Sequence, residues 1–166
     1  MIDKENIMQR FQFREYPAFT DGEIDVTVEK KVPGHRLRGL VPAYHFKITL
    51  HRQAEKIGRV DLRIGYMEKL VLYGGHIGYG IDEAFRGHGY AAKACNLIKQ
   101  VAVDHHMDVL WITCNPDNVA SRQTCENIGC EFIEIVDLPP DNDQYRRGER
   151  QKCRYRWIIY GGNTAI

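Results

Sequence analysis

No apolar run in these 166 residues approaches the ~20 that a membrane-crossing helix requires. The first ten residues carry Asp3, Lys4, Glu5 and Arg10, which leaves no room for a signal-peptide core. Charge of one sign is lacking as well. Twenty-three Lys and Arg meet 22 Asp and Glu for a net charge of +1, short of the basic excess by which a protein holds duplex nucleic acid through charge alone. No internal repeat, low-complexity tract or linker divides the chain. At 43% hydrophobic and 27% charged, it is expected to be a soluble cytoplasmic protein built on one core.

The five cysteines, Cys95, Cys114, Cys125, Cys130 and Cys153, are odd in number and show no CxxC spacing. That argues against a disulfide framework and against a structural zinc site, whose ligands come in tight pairs. The histidines include no HExxH pair, and His105-His106 are adjacent. No metal is expected, and the thiols read as buried or half-buried.

Side chains alternate from Glu23 to Glu29, with Ile24, Val26 and Val28 on one face; the same period recurs at Tyr44–Leu50, Val60–Ile64 and Ile77–Ile81. Each is the pattern of a half-buried strand. Pro33-Gly34, Gly58, Gly65 and Gly74-Gly75 punctuate these runs, so the first half reads as an antiparallel meander. The period then changes. Ala91, Ala94, Cys95, Ile98, Val101 and Ala102 recur at three and four from Tyr90 to about His105, which predicts an amphipathic helix.

Val109–Cys114 is a wholly apolar strand pattern. Asn118 stands as the N-cap of a second helix and Gly129 as its C′ residue. Phe132–Val136 and Lys152–Trp157 read as the last strands. The class is α+β, with a single mixed, mostly antiparallel central sheet and flanking helices. Residues 1–20 form an N-terminal extension in which Ile7, Met8 and Phe11 share one helical face; a frayed terminus is the alternative.

The most informative stretch is Ile81-Asp-Glu-Ala-Phe-Arg-Gly-His-Gly-Tyr-Ala-Ala92, a strand end, a glycine-rich turn and a helix start. Successive N–H groups in such a turn, with the positive end of the helix, suit a pyrophosphate. Gly87 and Gly89 let the backbone approach the anion. As GHGYAA the segment matches GxGxxA, but polar residues separate strand from glycine, and no carboxylate ends the next strand to hold a ribose. No GK[ST] follows, so it is not a P-loop. A plain glycine-rich turn is the bland alternative.

Arg86-Gly87-His88-Gly89-Tyr90-Ala91 fits R-x-x-G-x-[GA] and so resembles the acetyl-CoA pyrophosphate loop of GNAT-type N-acetyltransferases. The resemblance continues through Val109–Cys114 into Asn118-Val-Ala-Ser121 and Cys125-Glu-Asn-Ile-Gly-Cys130, similar to N-x-x-S and a "YEKLGF"-type helix end. His76-Ile-Gly-Tyr-Gly-Ile-Asp82 looks like the "EIGYxID" strand of the ribosomal-protein N-acetyltransferase branch. It implies an acyl-CoA N-acyltransferase fold over residues 21–166.

The resemblance also implies acetyl-CoA as co-substrate, with direct acetyl transfer to a primary amine of a small molecule or protein. Tyr79, Gly80 and Ile81 would pair with the pantetheine arm. Arg86, Gly87, His88, Gly89, Tyr90, Ala91 and Ala92 would hold the pyrophosphate, and Asn118 and Ser121 would touch the arm from the far side.

The family's proton-donating Tyr is Cys125 here, which makes Cys125 either a substitute acid or a packed thiol. His76 stands for the Glu of the strand motif and is the candidate base; Thr113, where some relatives carry a Glu, cannot serve. Relatives insert two helices between the first two strands, whereas Lys30–Ala43 is short and carries two prolines.

The acceptor groove is therefore expected from Leu138–Arg150. Arg146, Arg147 and Arg150 would grip an acidic group, Asp141 and Asp143 would steer the ammonium, and Tyr145 stands as reserve acid. A self-neutralising surface loop is the alternative. Rival functions are a catalytically weak CoA-binding accessory or sensor domain and a nicotinamide-nucleotide-binding protein. Membrane and nucleic-acid partners are not expected, and an exposed edge strand leaves a homodimer open.

Overall fold

The computed structural model describes residues 11–160. In chain order the elements are β1 (Phe19–Thr20), β2 (Ile24–Val32), β3 (Ala43–Leu50), β4 (Lys56–Arg63), β5 (Ile77–Ile81), α1 (Tyr90–Asp104), β6 (Val109–Cys114), α2 (Val119–Asn127), β7 (Glu131–Asp137), α3 (Asp143–Arg146) and β8 (Gln151–Ile158). Among the described residues every ladder is antiparallel, in two runs ordered β1-β2-β3-β4-β5 and β6-β8-β7. This is the α+β architecture that the alternating first half and the helical second half predict.

Alternation decides which side is core. The register places Val26 opposite Ile48, and Phe46 opposite both Val28 and Val60. Ile24, Val26, Tyr44, Phe46, Ile48, Val60 and Leu62 lose all but a trace of solvent contact. The apolar stripe of α1, Ala94, Cys95, Ile98, Val101 and Ala102, is fully buried in the same core. Each buried Val, Leu, Ile or Phe among them contributes about 1.5–3 kcal/mol by leaving water. The opposite side of β3 and β4 pairs Lys47 with Arg59 and His45 with Asp61 in register, a charged face.

The central sheet is divided at one place. β5 and β6 lie at the facing edges of the two runs and touch where His76 N–H donates to Trp111 O at 2.6 Å. Gly75 makes that approach feasible: it has φ +72°, and a Cβ there would lie 3.1 Å from Trp111 O and Thr113 N. Beyond this join neither facing edge has a ladder partner among the described residues.

The chain departs from the sequence reading in two local respects. Residues 11–18 form neither a helix nor a strand. Phe11 instead stacks on His105 at 5.0 Å, and Phe13 meets Tyr44 edge-on at 5.1 Å. Ile7 and Met8 lie outside the described residues. Between β4 and β5 a single π-helical turn, Leu70–Gly74, was not legible as any element. The β2–β3 connection holds only a 3-10 turn at Arg36–Arg38, as its length and prolines require. Among the described residues no helix is long and apolar enough to cross a membrane.

Candidate active site

A cavity of about 460 Å³ opens between β5, the glycine turn and α2. Its walls include Tyr79, Gly80 and Ile81 from β5, Arg86, Gly87, Gly89, Tyr90 and Ala91 from the turn, and Asn118 and Ser121 from the start of α2. Of the residues expected to hold the cofactor, His88 and Ala92 alone do not line it. The His88 ring stacks on Tyr90 at 5.3 Å, and Ala92 packs against the core.

The turn is built to present N–H groups. Asp82 opens a 3-10 turn over Glu83–Phe85, and Gly87 and Gly89 then take φ +86° and +72°, a region open to glycine at little cost. Gly89 is the N-cap of α1, with no side-chain cap bond and no acidic residue in the first turn. The first N–H groups of a helix lack intrahelical partners, and here no carboxylate competes for them, so they favour an anion. Arg86 ties the turn to the end of β5, its Nε donating to Ile81 O at 2.8 Å. At the other wall Asn118 caps α2, accepting from Ser121 N–H at 3.1 Å.

His76 corrects its reading as a base. It is fully buried, its Nδ1 accepts from Trp111 N–H at 2.8 Å, and its Nε2 donates to Gly65 O at 2.7 Å. Both nitrogens are thus committed to backbone. Burial chiefly, with the charge of Arg63 beside it, pushes its pKa down to about 4. His76 is the strut that joins the two halves of the sheet. Thr113 likewise serves structure, donating to Tyr73 O at 2.8 Å.

Cys125 is a packed thiol. It is fully buried in the core cluster beneath Tyr79, does not line the cavity, and has Cys130 as hydrogen-bond partner. The Cys130 contact chiefly, against the cost of burial, holds Cys125 below the ordinary thiol value, while Cys130 is raised by the same contact. Burial also raises Cys95.

The late segment closes on itself. Arg146 pairs with Asp143 at 3.4 Å, Arg150 donates to Tyr145 O and Glu149 O at 2.9 Å, and its guanidinium covers the Tyr145 ring at 3.9 Å. Neither Tyr145 nor Arg146, Arg147 and Arg150 lines the cavity. Asp141 and Arg147 are exposed. The segment docks through Gln144, which donates to Tyr73 O at 3.2 Å.

The hydroxyl of Tyr79 is what sequence reasoning passed over, having assigned only its backbone. It lies 2.8 Å from Ser121 Oγ and 3.7 Å from Cys125 Sγ. The signal was the Gly78-Tyr79-Gly80 spacing, which leaves one side chain on an otherwise bare stretch of strand. Among the described residues no three His, Cys, Asp or Glu side chains gather as metal ligands.

No curated protein matches the chain. Solved structures share its fold. A ribosomal-protein-S5-alanine acetyltransferase from Vibrio fischeri aligns at TM-score 0.64 and 14% identity over 87% of this chain and 97% of that one. RimL, a ribosomal L7/L12 alpha-N-protein acetyltransferase, aligns at TM-score 0.57 and 21% identity over 76% and 75%. The microcin C7 self-immunity acetyltransferase MccE, solved with acetyl-CoA and AMP, aligns at 0.55 and 19% over 70% of this chain. This chain spans 61% of MccE and 66% of a GNAT-family acetyltransferase from Bacillus anthracis.

The profile of the acetyltransferase (GNAT) domain matches residues 3–131, which takes in the meander, the glycine turn, both cavity-lining helix starts and the parted strands between them. A glycine-rich turn opening a helix is common to many folds, but its place beside a split sheet, together with that match over most of the chain, decides the matter: the chain belongs to the GNAT acetyltransferase family.

Proposed function

We propose that this chain transfers the acetyl group of acetyl-CoA to a primary amine by direct attack on the thioester. The observation that carries the reading is the cavity itself. An uncapped helix N-terminus suits the pyrophosphate at one end, and the unpaired edge of β5 runs from there toward the closed His76–Trp111 join. An extended arm laid along that edge finds main-chain partners as an added strand would. The thioester then lies at the end of that edge away from the glycine turn, beside Tyr79.

The amine is that of a protein N-terminus rather than a small molecule. Supporting this is the likeness to two ribosomal-protein acetyltransferases, of S5 and of L7/L12. The protein acts in the cytoplasm and needs no metal. Incubation with acetyl-CoA and a panel of N-terminal peptides and small amines, read by mass spectrometry and CoA release, tests the assignment. One acetyl group per CoA released, on at least one peptide, is the expected result. Acetylation of small amines alone would replace the protein acceptor. Tight CoA binding with no amine acetylated would favour an accessory or sensor domain, a reading to which the enclosed Cys125 and the committed His76 lend weight.

A further inference from the structure

Acyl transfer from a thioester expels a sulfur that gathers negative charge, and a donor aimed at that atom lowers the barrier. Cys125 does not reach the cavity, and Tyr145 is held under Arg150 in its own loop. The β5 wall of the cavity runs from Ile81 beside the glycine turn to Tyr79, so the end of an arm that starts at the turn comes to rest near Tyr79. Gly78 and Gly80 carry no side chain, and Tyr79 and Ser121 both face the cavity. The Tyr79 ring spans from β5 to α2, its hydroxyl 2.8 Å from Ser121 Oγ and 3.1 Å from Ser121 O.

Resting on the acetyl-CoA reading, we propose that the Tyr79 hydroxyl is the hydrogen-bond donor to the leaving sulfur of the thioester. The amine nitrogen forms the new N–C bond and the C–S electron pair passes to sulfur. As it does, the Tyr79 O–H turns from Ser121 O to the sulfur, and Ser121 Oγ–H donates into the phenol oxygen. The phenol keeps its proton throughout. The amine's proton goes to water, and the thiolate takes one from water as CoA departs. Burial, with the nearby Cys125 adding, raises Tyr79 far above an ordinary phenol, so it stays a neutral donor at any working pH.

The sulfur itself is the probe. Affinities for CoA and desulfo-CoA are measured by calorimetry on the full chain and on Tyr79→Phe, at about pH 8.5, the ordinary thiol pKa. A hydrogen bond to a charged group is worth enough for the unaltered chain to prefer CoA by about tenfold. In Tyr79→Phe the two ligands bind alike, while desulfo-CoA binds as it does to the unaltered chain, which shows the fold intact. On whichever amine the panel identifies, the same variant lowers kcat and leaves KM for acetyl-CoA unchanged. A CoA preference that survives the substitution overturns the assignment. Failure of the unaltered chain to bind either ligand overturns the cofactor reading and this one with it. If the variant loses desulfo-CoA as well, Tyr79 serves the fold and the assignment falls.

Discussion

Replacing His76 by Gln is expected to destabilise the protein by about 2–4 kcal/mol at pH 7, because two buried backbone groups lose the partner that satisfies them both. Trp111 N–H and Gly65 O are bridged by one imidazole across the join of the half-sheets, and glutamine's amide does not span the same two atoms in a ring-shaped space. The pH dependence separates this from ordinary packing loss. The folded-state pKa, about 4, lies below the unfolded value of 6.5.

As pH falls below 6.5 the unfolded chain takes up a proton that the folded chain refuses, so His76 removes stability progressively down to about pH 4. The integrated loss is about 3 kcal/mol. His105 is also depressed by burial and contributes in the same direction, but it remains in the variant. Denaturant unfolding of both proteins from pH 7 to pH 4 is therefore expected to show a gap that narrows as pH falls. A gap below 0.5 kcal/mol at pH 7, or one that stays constant with pH, contradicts the role of strut.

Substituting Gly89 by Val strikes the other end of the cavity. With φ +72° and ψ +19°, Gly89 occupies the left-handed region, where a β-branched residue is strained by about 1–3 kcal/mol. Apart from its two chain neighbours, no residue comes within 4 Å of a Cβ placed there, so space inside the chain is no obstacle. The added side chain instead intrudes on whatever binds the turn, and the strain turns its N–H groups away. Loss of one or two charge-assisted bonds corresponds to about a hundredfold weaker acetyl-CoA binding. Calorimetric titration of a variant that still unfolds cooperatively checks this. Affinity within threefold of the unaltered chain would mean that the anion sits elsewhere.

The parts of this molecule that obey local periodicity were legible before any coordinates. The alternation at Ile24–Val28 and the three-four recurrence from Ala91 to Ala102 are direct records of one-sided burial. So is the cap at Asn118, where the side chain supplies the missing partner of Ser121 N–H. The glycine turn was legible because the positive φ that the chain takes at Gly87 and Gly89 favours glycine.

What escaped was set by contacts across the fold. His76 reads in sequence as a strand histidine at a functional position, and only the nearness of Gly65 and Trp111 turns it into a strut. Arg146, Arg147 and Arg150 read as a binding cluster, yet Asp143 and neighbouring carbonyls engage two of them within the loop. Cys125 aligns with an acid, but the size of a thiol lets Tyr79 lie over it, and that overlay belongs to packing rather than pattern. The π-helical turn at Leu70–Gly74 has no periodic signature, since its form is held by Thr113, Gln144 and Arg154 reaching its carbonyls.

The central claim is that acetyl-CoA occupies the cavity between β5, the glycine turn and α2, and a melting experiment tests it most directly. Ligand at a hundred times its dissociation constant adds about 2.7 kcal/mol to stability. At roughly 2–4 °C per kcal/mol for a chain of this size, the midpoint is expected to rise by about 5–10 °C with acetyl-CoA and with CoA. NADH, which the GHGYAA stretch would also attract if it were a dinucleotide turn, is expected to leave it unmoved. A rise with NADH alone, or no rise with either CoA species, would contradict the account.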